Sequence, residues 1–387
     1  MKVLSLFDGM ACGMIAMLLA GVPVENYDAY EIDKYAIKTA QHNFPMIKEH
    51  GDVFAADFTQ YEGVDFLVGG SPCTYWSIAQ TKNRETVASG MGWELFSQYV
   101  RALHEAKPKY FIYENNKSMS KQIRASIDGA FGFEAVLINS ALVSAQNRQR
   151  LYWVGKRNAD GTYSKVNVEQ PSDRGILLKD VLDSAVARRD KAHTIDFNYY
   201  KGGNFTSPNK QSGKRLMAAE PINTDANGKA FCVTSRYYKG FGNNTGKCLE
   251  KHRDSMAAEP INVTADGKAQ CLRATCYKDG IRNIAANVVD KRTGVAEPRI
   301  AEGYEVKDGK ITIKGKQYPI KLKDGYYIIR KLTVSECKRL QTVPEWYEFP
   351  VSNSQAFRML GNGWTCEVIA HLIRSCLLCA DGKRNEV

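Results

Sequence analysis

The chain has 387 residues, of which 44% are hydrophobic and 25% charged, so it has room for two domains of ordinary size with sizeable cores. It contains no run of about 18 apolar residues and no charged-then-apolar leader, which predicts a soluble, intracellular protein rather than a membrane protein. Its 10 cysteines are scattered, as is typical of proteins in a reducing cytosol.

The excess positive charge lies in one part of the chain. Residues 185–330 contain 27 Lys and Arg against 15 Asp and Glu, a net of +12, and because the whole chain carries +11, the remainder carries −1. A solvated basic surface would explain such a segment. Its concentration in one part of an otherwise neutral chain favours a polyanionic partner, above all nucleic acid.

Residues 1–155 alternate short apolar runs with helical patterns, which is typical of β–α–β units around a parallel sheet. Periodicity predicts helices at residues 14–19 and 93–103. The predicted strands are short apolar runs, at residues 3–7, 27–30, 64–68, 110–113, 133–138 and 151–154.

Two of these predicted strands end in reactive side chains. The apolar run 64–68 leads through two glycines to the thiol of Cys73, and the run 110–113 leads to the carboxylate of Glu114. Because ligands bind outside the carboxyl ends of the strands in open α/β sheets, the two groups can face one pocket. A Cys nucleophile with a Glu acid or base nearby indicates covalent catalysis.

From about residue 185 the sequence is rich in Gly, Asn, Lys and Tyr and contains a repeat. Met217-Ala-Ala-Glu-Pro-Ile-Asn recurs 39 residues later from Met256, and each copy is followed by an Asn-Gly or Asp-Gly turn signal. These units predict a β domain over 185–330, inserted between 1–184 and a helical segment, 331–387, that returns to the first domain. Arg and Tyr side chains on the units can reach a nucleic-acid groove or form cross-strand pairs.

Cys376 and Cys379 form a C-x-x-C pair near the end of the chain. A zinc site needs a second pair of ligands, and His371 is the nearby candidate. Because these residues lie on the apolar stripe of a predicted helix, we expect them to pack in a core and to bind no metal.

Several groups of residues stand in a characteristic order along the chain. They are Leu4-Ser-Leu-Phe-Asp-Gly9 with Gly13, Glu31, Asp52, Gly70-Ser-Pro-Cys73, Glu114-Asn115, Gln146-Asn-Arg148-Gln-Arg150, the run Arg330 to Gln341 with Pro344, and Gly361-Asn-Gly-Trp364. In this order they resemble the motifs of the cytosine-5 DNA methyltransferases of prokaryotic or phage type, with some features of the eukaryotic de novo branch. The resemblance implies an α/β fold: a Rossmann-like, S-adenosylmethionine-dependent methyltransferase sheet with an inserted, smaller, mostly β target-recognition domain.

The resemblance also implies a catalytic set. Cys73 would attack carbon 6 of a cytosine, Glu114 would bind ring nitrogen 3 and the exocyclic amine, and Arg150 or Arg148 would stabilise charge at the carbonyl oxygen. Because a thiolate is needed, we expect a positive or helix-N-terminal setting to lower the pKa of Cys73. The target atom is out of reach in a stacked duplex, so the base must be flipped out.

The implied cofactor is S-adenosylmethionine, which leaves as S-adenosylhomocysteine. Phe7 would lie against its adenine, Glu31 would bind the ribose hydroxyls and Asp52 the adenine amino group. Each of these residues, taken alone, is also explained as a core residue, a cap or a solvated turn. The implied cofactor residues are Phe7, Asp8, Gly9, Gly13, Glu31, Ile32, Asp52, Val53, Ser71, Pro72, Asn362 and Trp364.

The implied partner is double-stranded DNA, with phosphate contacts and sequence readout from the basic segment. Residues 74–92 resemble the mobile loop that closes over the flipped base. The candidate DNA contacts are Ser77, Gln80, Arg236, Tyr238, Arg273 and Lys278. We expect a monomer in the cytoplasm, associated with the nucleoid of a prokaryotic or phage-infected cell, with any cognate restriction endonuclease making no stable contact.

The chain departs from the family pattern at particular positions. Asn116 stands where the family usually has Val, Gly363 where it usually has Ser, and Thr74-Tyr75-Trp76 replaces a Gln-x-Phe-like run. Three alternatives remain. An RNA cytosine-5 methyltransferase would have a smaller recognition insert, intact Cys73 and Glu114 count against a non-catalytic DNA-binding regulator, and the glycine spacing fits a dinucleotide-binding oxidoreductase poorly.

Overall fold

The computed structural model describes residues 1–77, 84–183, 192, 194–195, 217–221, 304–313, 316–319 and 323–378. The chain divides into two compact units. The first comprises Met1–Val181, Lys191–Tyr200 and Val334–Val387, and the second comprises Leu182–Asp190 and Lys201–Thr333.

An eight-stranded sheet forms the centre of the first unit. Its strands are β1 (Lys2–Leu6), β2 (Asn26–Tyr30), β3 (Lys48–Glu49), β4 (Phe66–Gly69), β5 (Tyr110–Asn116), β6 (Val136–Asn139), β7 (Gln149–Arg157) and β8 (Tyr163–Lys165). The order is β3-β2-β1-β4-β5-β7-β6, with β8 on β7. Strands β1 to β5 pair in parallel, and β7 runs antiparallel to β5, β6 and β8. The predicted α/β fold with a Rossmann-like sheet is confirmed.

Eight helices accompany this sheet in the described residues. They are α1 (Cys12–Leu19), α2 (Lys34–Asn43), α3 (Met91–Ala106), α4 (Lys121–Phe131), α5 (Leu178–Val181), α6 (Val334–Leu340), α7 (Asn353–Asn362) and α8 (Cys366–Leu378). The C-terminal helix α8 packs on α1. The Tyr347 hydroxyl also donates to the Met10 carbonyl oxygen at 2.6 Å, so the end of the chain lies against its beginning.

A cluster of aromatic side chains packs on β4 and β5. Tyr99 of α3 is fully buried, and its hydroxyl lies 3.2 Å from the Leu67 carbonyl oxygen of β4 and 2.9 Å from that of Ile112 in β5. Its ring packs at 4.8 Å on Tyr113, and Phe131 of α4 packs on both rings. Tyr99 of α3 therefore holds β4 and β5 together.

The second unit contains a five-stranded antiparallel sheet. Its strands are β9 (Met217–Pro221), β10 (Tyr304–Lys307), β11 (Lys310–Ile313), β12 (Lys316–Pro319) and β13 (Gly325–Lys331), in the order β12-β11-β10-β13-β9. Asp308 and Gly309, with φ of 51° and 65°, form the turn between β10 and β11. The first repeat copy contributes β9, and the second copy lies outside the described residues.

Two further expectations concern metals and membranes. Cys376 is buried in α8, whereas Cys379 lies outside the described residues. In the described part of the chain, no three His, Cys, Asp or Glu side chains form a group that can hold a metal ion. None of the described helices has the length and apolar character needed to cross a bilayer.

Candidate active site

The carboxyl ends of β4 and β5 lie side by side. Gly69 pairs with Tyr113, so the residues that follow β4 run next to Glu114. A Cβ atom on Gly70 would lie 2.7 Å from the Glu114 carbonyl oxygen and 3.1 Å from its Oε2. Only glycine at position 70 allows these two segments of the backbone to approach so closely.

Hydrogen bonds hold the segment that carries the thiol. The Ser71 hydroxyl lies 2.6 Å from that of Tyr113, and Asn115 Nδ2 donates to the Ser71 carbonyl oxygen at 3.2 Å. Pro72 follows with a φ of −50°, and Cys73 begins a single 3₁₀ turn. Ser71 and Pro72, which were predicted to bind the cofactor, therefore lie in the segment that positions Cys73.

Both carboxylate oxygens of Glu114 have a donor. Arg150 Nε lies 3.0 Å from Oε1, and the Trp364 indole Nε1 donates to Oε2 at 3.1 Å. The Glu114 and Arg150 side chains are 12% and 16% exposed, so this ion pair is poorly screened by water. Trp364, predicted as a cofactor residue, thus contacts the predicted catalytic carboxylate.

The Cys73 thiol lies among these charges. Burial raises the pKa of Cys73 above its ordinary value, although the cations of Arg150 and Arg148 and the polar side chain of Asn116 lower it. The predicted lowering of this pKa is therefore wrong for the protein alone. Desolvation of the thiolate outweighs the nearby positive charge, and the 3₁₀ turn that begins at Cys73 is only three residues long.

The two candidate arginines have different surroundings. Arg148 is 2% exposed, and burial lowers its pKa to about 10. Its guanidinium donates to three backbone carbonyl oxygens, those of Ile195, Gly361 and Gly363. Arg148 therefore holds the turn before Trp364, whereas Arg150 contacts Glu114 directly.

A polar cleft of about 500 Å³ opens beside Arg150. The charged residues in its lining, Lys117 and Arg150, are both cationic, which favours a polar or anionic ligand. The lining residues are Asn116, Lys117, Ser118, Asn139, Asn147, Gln149, Arg150 and Thr194.

The predicted cofactor site lies where the strand order reverses, since β1 is between β2 and β4. The Glu31 carboxylate accepts hydrogen bonds from the backbone N–H groups of Gly9, Ile32 and Asp33, each at 2.8 Å. It thereby links the turn after β1 to the end of β2. Phe7 and Gly9 have φ of 58° and 62°, which is a left-handed conformation that a bulky residue such as Phe rarely adopts.

A group of carboxylates lies at this edge. Asp8 is 7% exposed, and its Oδ1 accepts hydrogen bonds from the hydroxyls of Ser5 at 2.5 Å and Tyr27 at 2.7 Å. Its Oδ2 and both carboxylate oxygens of Glu49 are buried without a hydrogen-bond partner among the described residues. Burial raises the pKa of Asp8 to about 6, and burial with the charges of Asp8 and Glu31 raises that of Glu49 to about 8.

Sequence reasoning missed Glu49 and Tyr27. In the sequence, Glu49 is one of several carboxylates in a short polar segment, and Tyr27 has the pattern of an ordinary strand residue. Their roles come from the pairing of β2 with β1 and β3, which no local pattern reveals.

The other predicted cofactor residues are spread around this edge. Asp52 is exposed, and its Oδ1 accepts from the Phe54 N–H at 3.0 Å as the cap of a 3₁₀ turn, Val53–Ala55, in which Val53 is buried. Ile32 is 76% exposed. Their contacts with a cofactor remain predictions.

Gly13 and Asn362 complete the predicted cofactor set. Gly13 lies in α1, where an added Cβ atom would approach the Tyr27 hydroxyl to 2.5 Å, so its small size serves helix packing. Asn362 is exposed at the end of α7. The contacts of Gly13 and Asn362 with a cofactor stay predictions.

The segment predicted as a loop, 74–92, is described at residues 74–77 and 84–92. The Ser77 N–H donates to the Cys73 carbonyl oxygen at 2.9 Å. The buried Trp76 donates from Nε1 to Glu85 at 3.1 Å, and Arg84 donates to the Ser118 carbonyl oxygen at 2.6 Å. The other predicted DNA contacts lie outside the described residues: Gln80, Arg236, Tyr238, Arg273 and Lys278.

The similarity to known proteins extends over most of the chain. A family model for C-5 cytosine-specific DNA methylases matches residues 1–377. The orphan methyltransferase M.SPRI of Bacillus phage SPR is 35% identical over 169 residues, which cover 41% of this chain and 38% of that protein. The chain thus spans well under half the length of the phage relatives that it matches.

A bacterial relative and a solved structure complete the comparison. The type II methyltransferase M.NgoPII of Neisseria gonorrhoeae is 30% identical over 244 residues, which cover 56% of this chain and 69% of that protein. The crystal structure of S. pombe Dnmt2 methyltransferase covers 99% of both chains with a TM-score of 0.52 and 13% identity. At that identity the likeness is one of fold.

Proposed function

Since this chain belongs to the family of C-5 cytosine-specific DNA methylases, we propose that it transfers a methyl group from S-adenosylmethionine to carbon 5 of a cytosine in double-stranded DNA. The observation that carries the proposal is the meeting of Cys73, Glu114 and Arg150 at the ends of neighbouring strands. A thiol beside a carboxylate that is paired with a guanidinium forms the set that nucleophilic addition to a pyrimidine requires.

In the proposed reaction, the Cys73 thiolate forms a bond to carbon 6. The electrons of the 5,6 double bond move between carbons 4 and 5, and those of the 3,4 double bond move to nitrogen 3, which takes a proton from Glu114. After carbon 5 is methylated, nitrogen 3 returns its proton to Glu114 and carbon 5 loses its own proton to a base. The bond between sulfur and carbon 6 then breaks, which restores the double bond and releases the thiolate.

Glu114 and Arg150 have complementary roles in this proposal. Arg150 stabilises negative charge that develops at the cytosine carbonyl oxygen. The hydrogen bonds from Arg150 and Trp364 use one lone pair on each Glu114 oxygen, which leaves lone pairs for the exocyclic amine. The carboxylate is therefore oriented before the base arrives.

The carboxylates at the ends of β1 to β3 fit a cationic cofactor. When bound, S-adenosylmethionine supplies a methyl group on a positively charged sulfonium. The oxygens of Asp8 and Glu49 that have no hydrogen-bond partner in the described part of the chain favour a cation, because a cation relieves the repulsion between the two carboxylates. Glu31 would bind the ribose hydroxyls, and Phe7 would lie against the adenine.

Two features support duplex DNA with a flipped base as the substrate. The cationic cleft beside Arg150 offers space next to the catalytic group for a nucleotide outside the stack. The net charge of +12 on residues 185–330 favours a polyanion at the inserted segment.

A methyl-transfer assay tests the proposal. The full chain is incubated with tritiated S-adenosylmethionine and either duplex DNA or tRNA, and the labelled base is identified after digestion. We expect label at carbon 5 of cytosine in DNA. Label in tRNA alone, or on another base, would overturn the assignment.

A further inference from the structure

We propose that Arg84 and Glu85 are positioning residues that hold the segment after Cys73 in place, and with it the proposed nucleophile. The inference rests on the proposed function and deepens it, because it concerns how Cys73 is kept beside Glu114. Neither Arg84 nor Glu85 belongs to the motifs that carry the family resemblance.

Backbone pairing does not reach the nucleophile. The register between β4 and β5 ends at Gly69 and Tyr113, so Cys73 lies beyond the paired residues. The hydrogen bonds of the preceding residues hold one side of Cys73. The other side therefore depends on the contacts of the segment that follows it.

That segment begins with a tight turn that ends in a buried side chain. The backbone N–H groups of Trp76 and Ser77 donate to the Cys73 carbonyl oxygen at 3.1 Å and 2.9 Å. The Trp76 side chain is fully buried. Because Trp76 is bonded to Cys73 through the turn, whatever holds the Trp76 ring also restrains Cys73.

Glu85 holds the Trp76 ring. Its Oε2 accepts from the Trp76 indole Nε1 at 3.1 Å, and its backbone N–H donates to the Tyr75 carbonyl oxygen at 2.9 Å. Trp76 stands where the family pattern has a Phe-like residue, which has no N–H. Glu85 thus satisfies a buried donor that would otherwise be costly to leave unpaired.

The same carboxylate is fixed at the start of α3. The Gly92 N–H lies 3.2 Å from each carboxylate oxygen of Glu85, and a negative charge is favourable at the N-terminus of a helix. An added Cβ atom at Gly90 or Gly92 would lie 2.6 Å from a Glu85 oxygen, so the glycines leave room for this carboxylate. Glu85 therefore joins the segment after the nucleophile to α3.

Arg84 joins the same segment to the residues that follow β5. Its Nε donates to the Trp76 carbonyl oxygen at 3.1 Å, and its Nη2 donates to the Ser118 carbonyl oxygen at 2.6 Å. The Ser120 hydroxyl also donates to the Thr86 carbonyl oxygen. The segments that follow the two proposed catalytic residues are thereby bound to each other through side chains.

Hydrogen exchange tests these contacts in the protein alone. Exchange of the Trp76 and Ser77 amides in the full chain is measured by mass spectrometry with residue-level fragmentation. In Arg84→Gln and in Glu85→Ala these amides should exchange about tenfold faster, because each variant loses hydrogen bonds to the segment. Amides of the buried strand β1 report on the whole fold and should exchange at the wild-type rate.

Two matched controls change exposed charges on neighbouring elements. Arg157→Gln lies at the end of β7 and Glu94→Ala lies in the first turn of α3. Both should leave exchange at Trp76 unchanged. Wild-type exchange at Trp76 in both Arg84→Gln and Glu85→Ala, or equal acceleration in the Glu94→Ala control, would overturn the inference.

A double-mutant cycle isolates the contact between Trp76 and Glu85. Trp76→Phe removes the indole donor, so adding Glu85→Ala to it leaves no indole N–H unpaired. The acceleration of exchange at Ser77 by Glu85→Ala should therefore be smaller in Trp76→Phe than in wild type. An equal acceleration in both backgrounds would contradict the role of this hydrogen bond.

Methyl transfer separates this inference from the proposed function. If both hold, the single-turnover rate of Arg84→Gln should fall about tenfold with an unchanged KM for DNA, and Arg84→Lys should have an intermediate rate. A raised KM with an unchanged rate would instead assign Arg84 to DNA binding and overturn its positioning role. Faster exchange in a protein that never methylates DNA would support the placement of Cys73 by these residues and refute the reaction.

Discussion

The Trp364 indole Nε1 donates a 3.1 Å hydrogen bond to Oε2 of Glu114, which lies 250 residues away in the sequence. Because Arg150 occupies Oε1 of the same carboxylate, two donors from separate elements hold it. Trp364 follows the turn whose carbonyl oxygens are bound by Arg148. The segment between α7 and α8 thereby contributes to the geometry of the proposed catalytic site.

Trp364→Phe keeps an aromatic ring but removes the donor to Glu114. We expect the single-turnover rate of methyl transfer to fall about tenfold, because a buried hydrogen bond that orients the Glu114 carboxyl group is lost, while the KM for DNA stays unchanged. Trp346→Phe is the matched control at an exposed tryptophan. A defect confined to cofactor affinity would instead assign Trp364 to the cofactor alone.

Arg150→Gln should lower the rate of methyl transfer, whereas Arg148→Gln should lower the stability of the fold. Arg150→Gln removes a charge next to the reacting groups, so we expect methyl transfer to slow about 10²-fold with stability near wild type. Arg148→Gln leaves buried carbonyl oxygens unpaired and should cost about 3 kcal/mol in the free energy of unfolding. Single-turnover kinetics and chemical denaturation distinguish the two, and equal stability losses would contradict the assignment.

The raised pKa values of Asp8 and Glu49, beside the predicted cofactor site, predict that stability depends on pH. The folded protein holds protons on Asp8 and Glu49 more tightly than the unfolded chain. The contribution of these two groups to stability is therefore full at low pH and is lost as the pH rises to about 6 for Asp8 and about 8 for Glu49. Glu49→Gln should therefore stabilise the cofactor-free protein at pH 8.5 and have little effect at pH 5.

Thermal unfolding at several pH values checks this prediction. Glu25→Gln, at an exposed carboxylate, serves as the control. A gain for Glu49→Gln that is equal at pH 5 and pH 8.5 would show that the effect does not come from its ionisation.

The basic segment predicts a steep salt dependence of DNA binding. Nonspecific duplex affinity should fall linearly on a double logarithmic plot, because bound cations are released from the phosphates. If Arg236 and Arg273 contact phosphates, replacing both by Ala should reduce the slope by about two. Lys38→Ala on α2 is the control, and a salt-independent affinity would contradict the DNA-binding role of the segment.

The strands were predictable because apolar runs end at glycines and polar residues. The order of the family motifs also predicted that Cys73 and Glu114 follow neighbouring strands, and their catalytic roles stay a prediction. The strand at 110–113 was predicted too short. Residues Glu114 to Asn116 are polar, and they extend β5 because they pair with Tyr152, Leu151 and Arg150 of β7. Such a partner is remote in sequence, so local patterns miss it.

Interactions between segments that are distant in the sequence also could not be predicted from it. The family pattern indicated both Glu114 and Trp364, but not their contact. The direction of the Cys73 pKa was wrong because it depends on how much water the fold excludes, and a list of nearby cations does not contain that information.

Covalent trapping of Cys73 tests the central claim most directly. The full chain is mixed with S-adenosylmethionine and duplex DNA that contains 5-fluorocytosine, in which carbon 5 has no proton to lose, and the products are separated under denaturing conditions. Wild type should form a stable protein–DNA adduct whose cross-linked peptide contains Cys73, and Cys73→Ser should form none while it still binds the cofactor. The absence of an adduct in wild type, or its attachment at another residue, would contradict the claim.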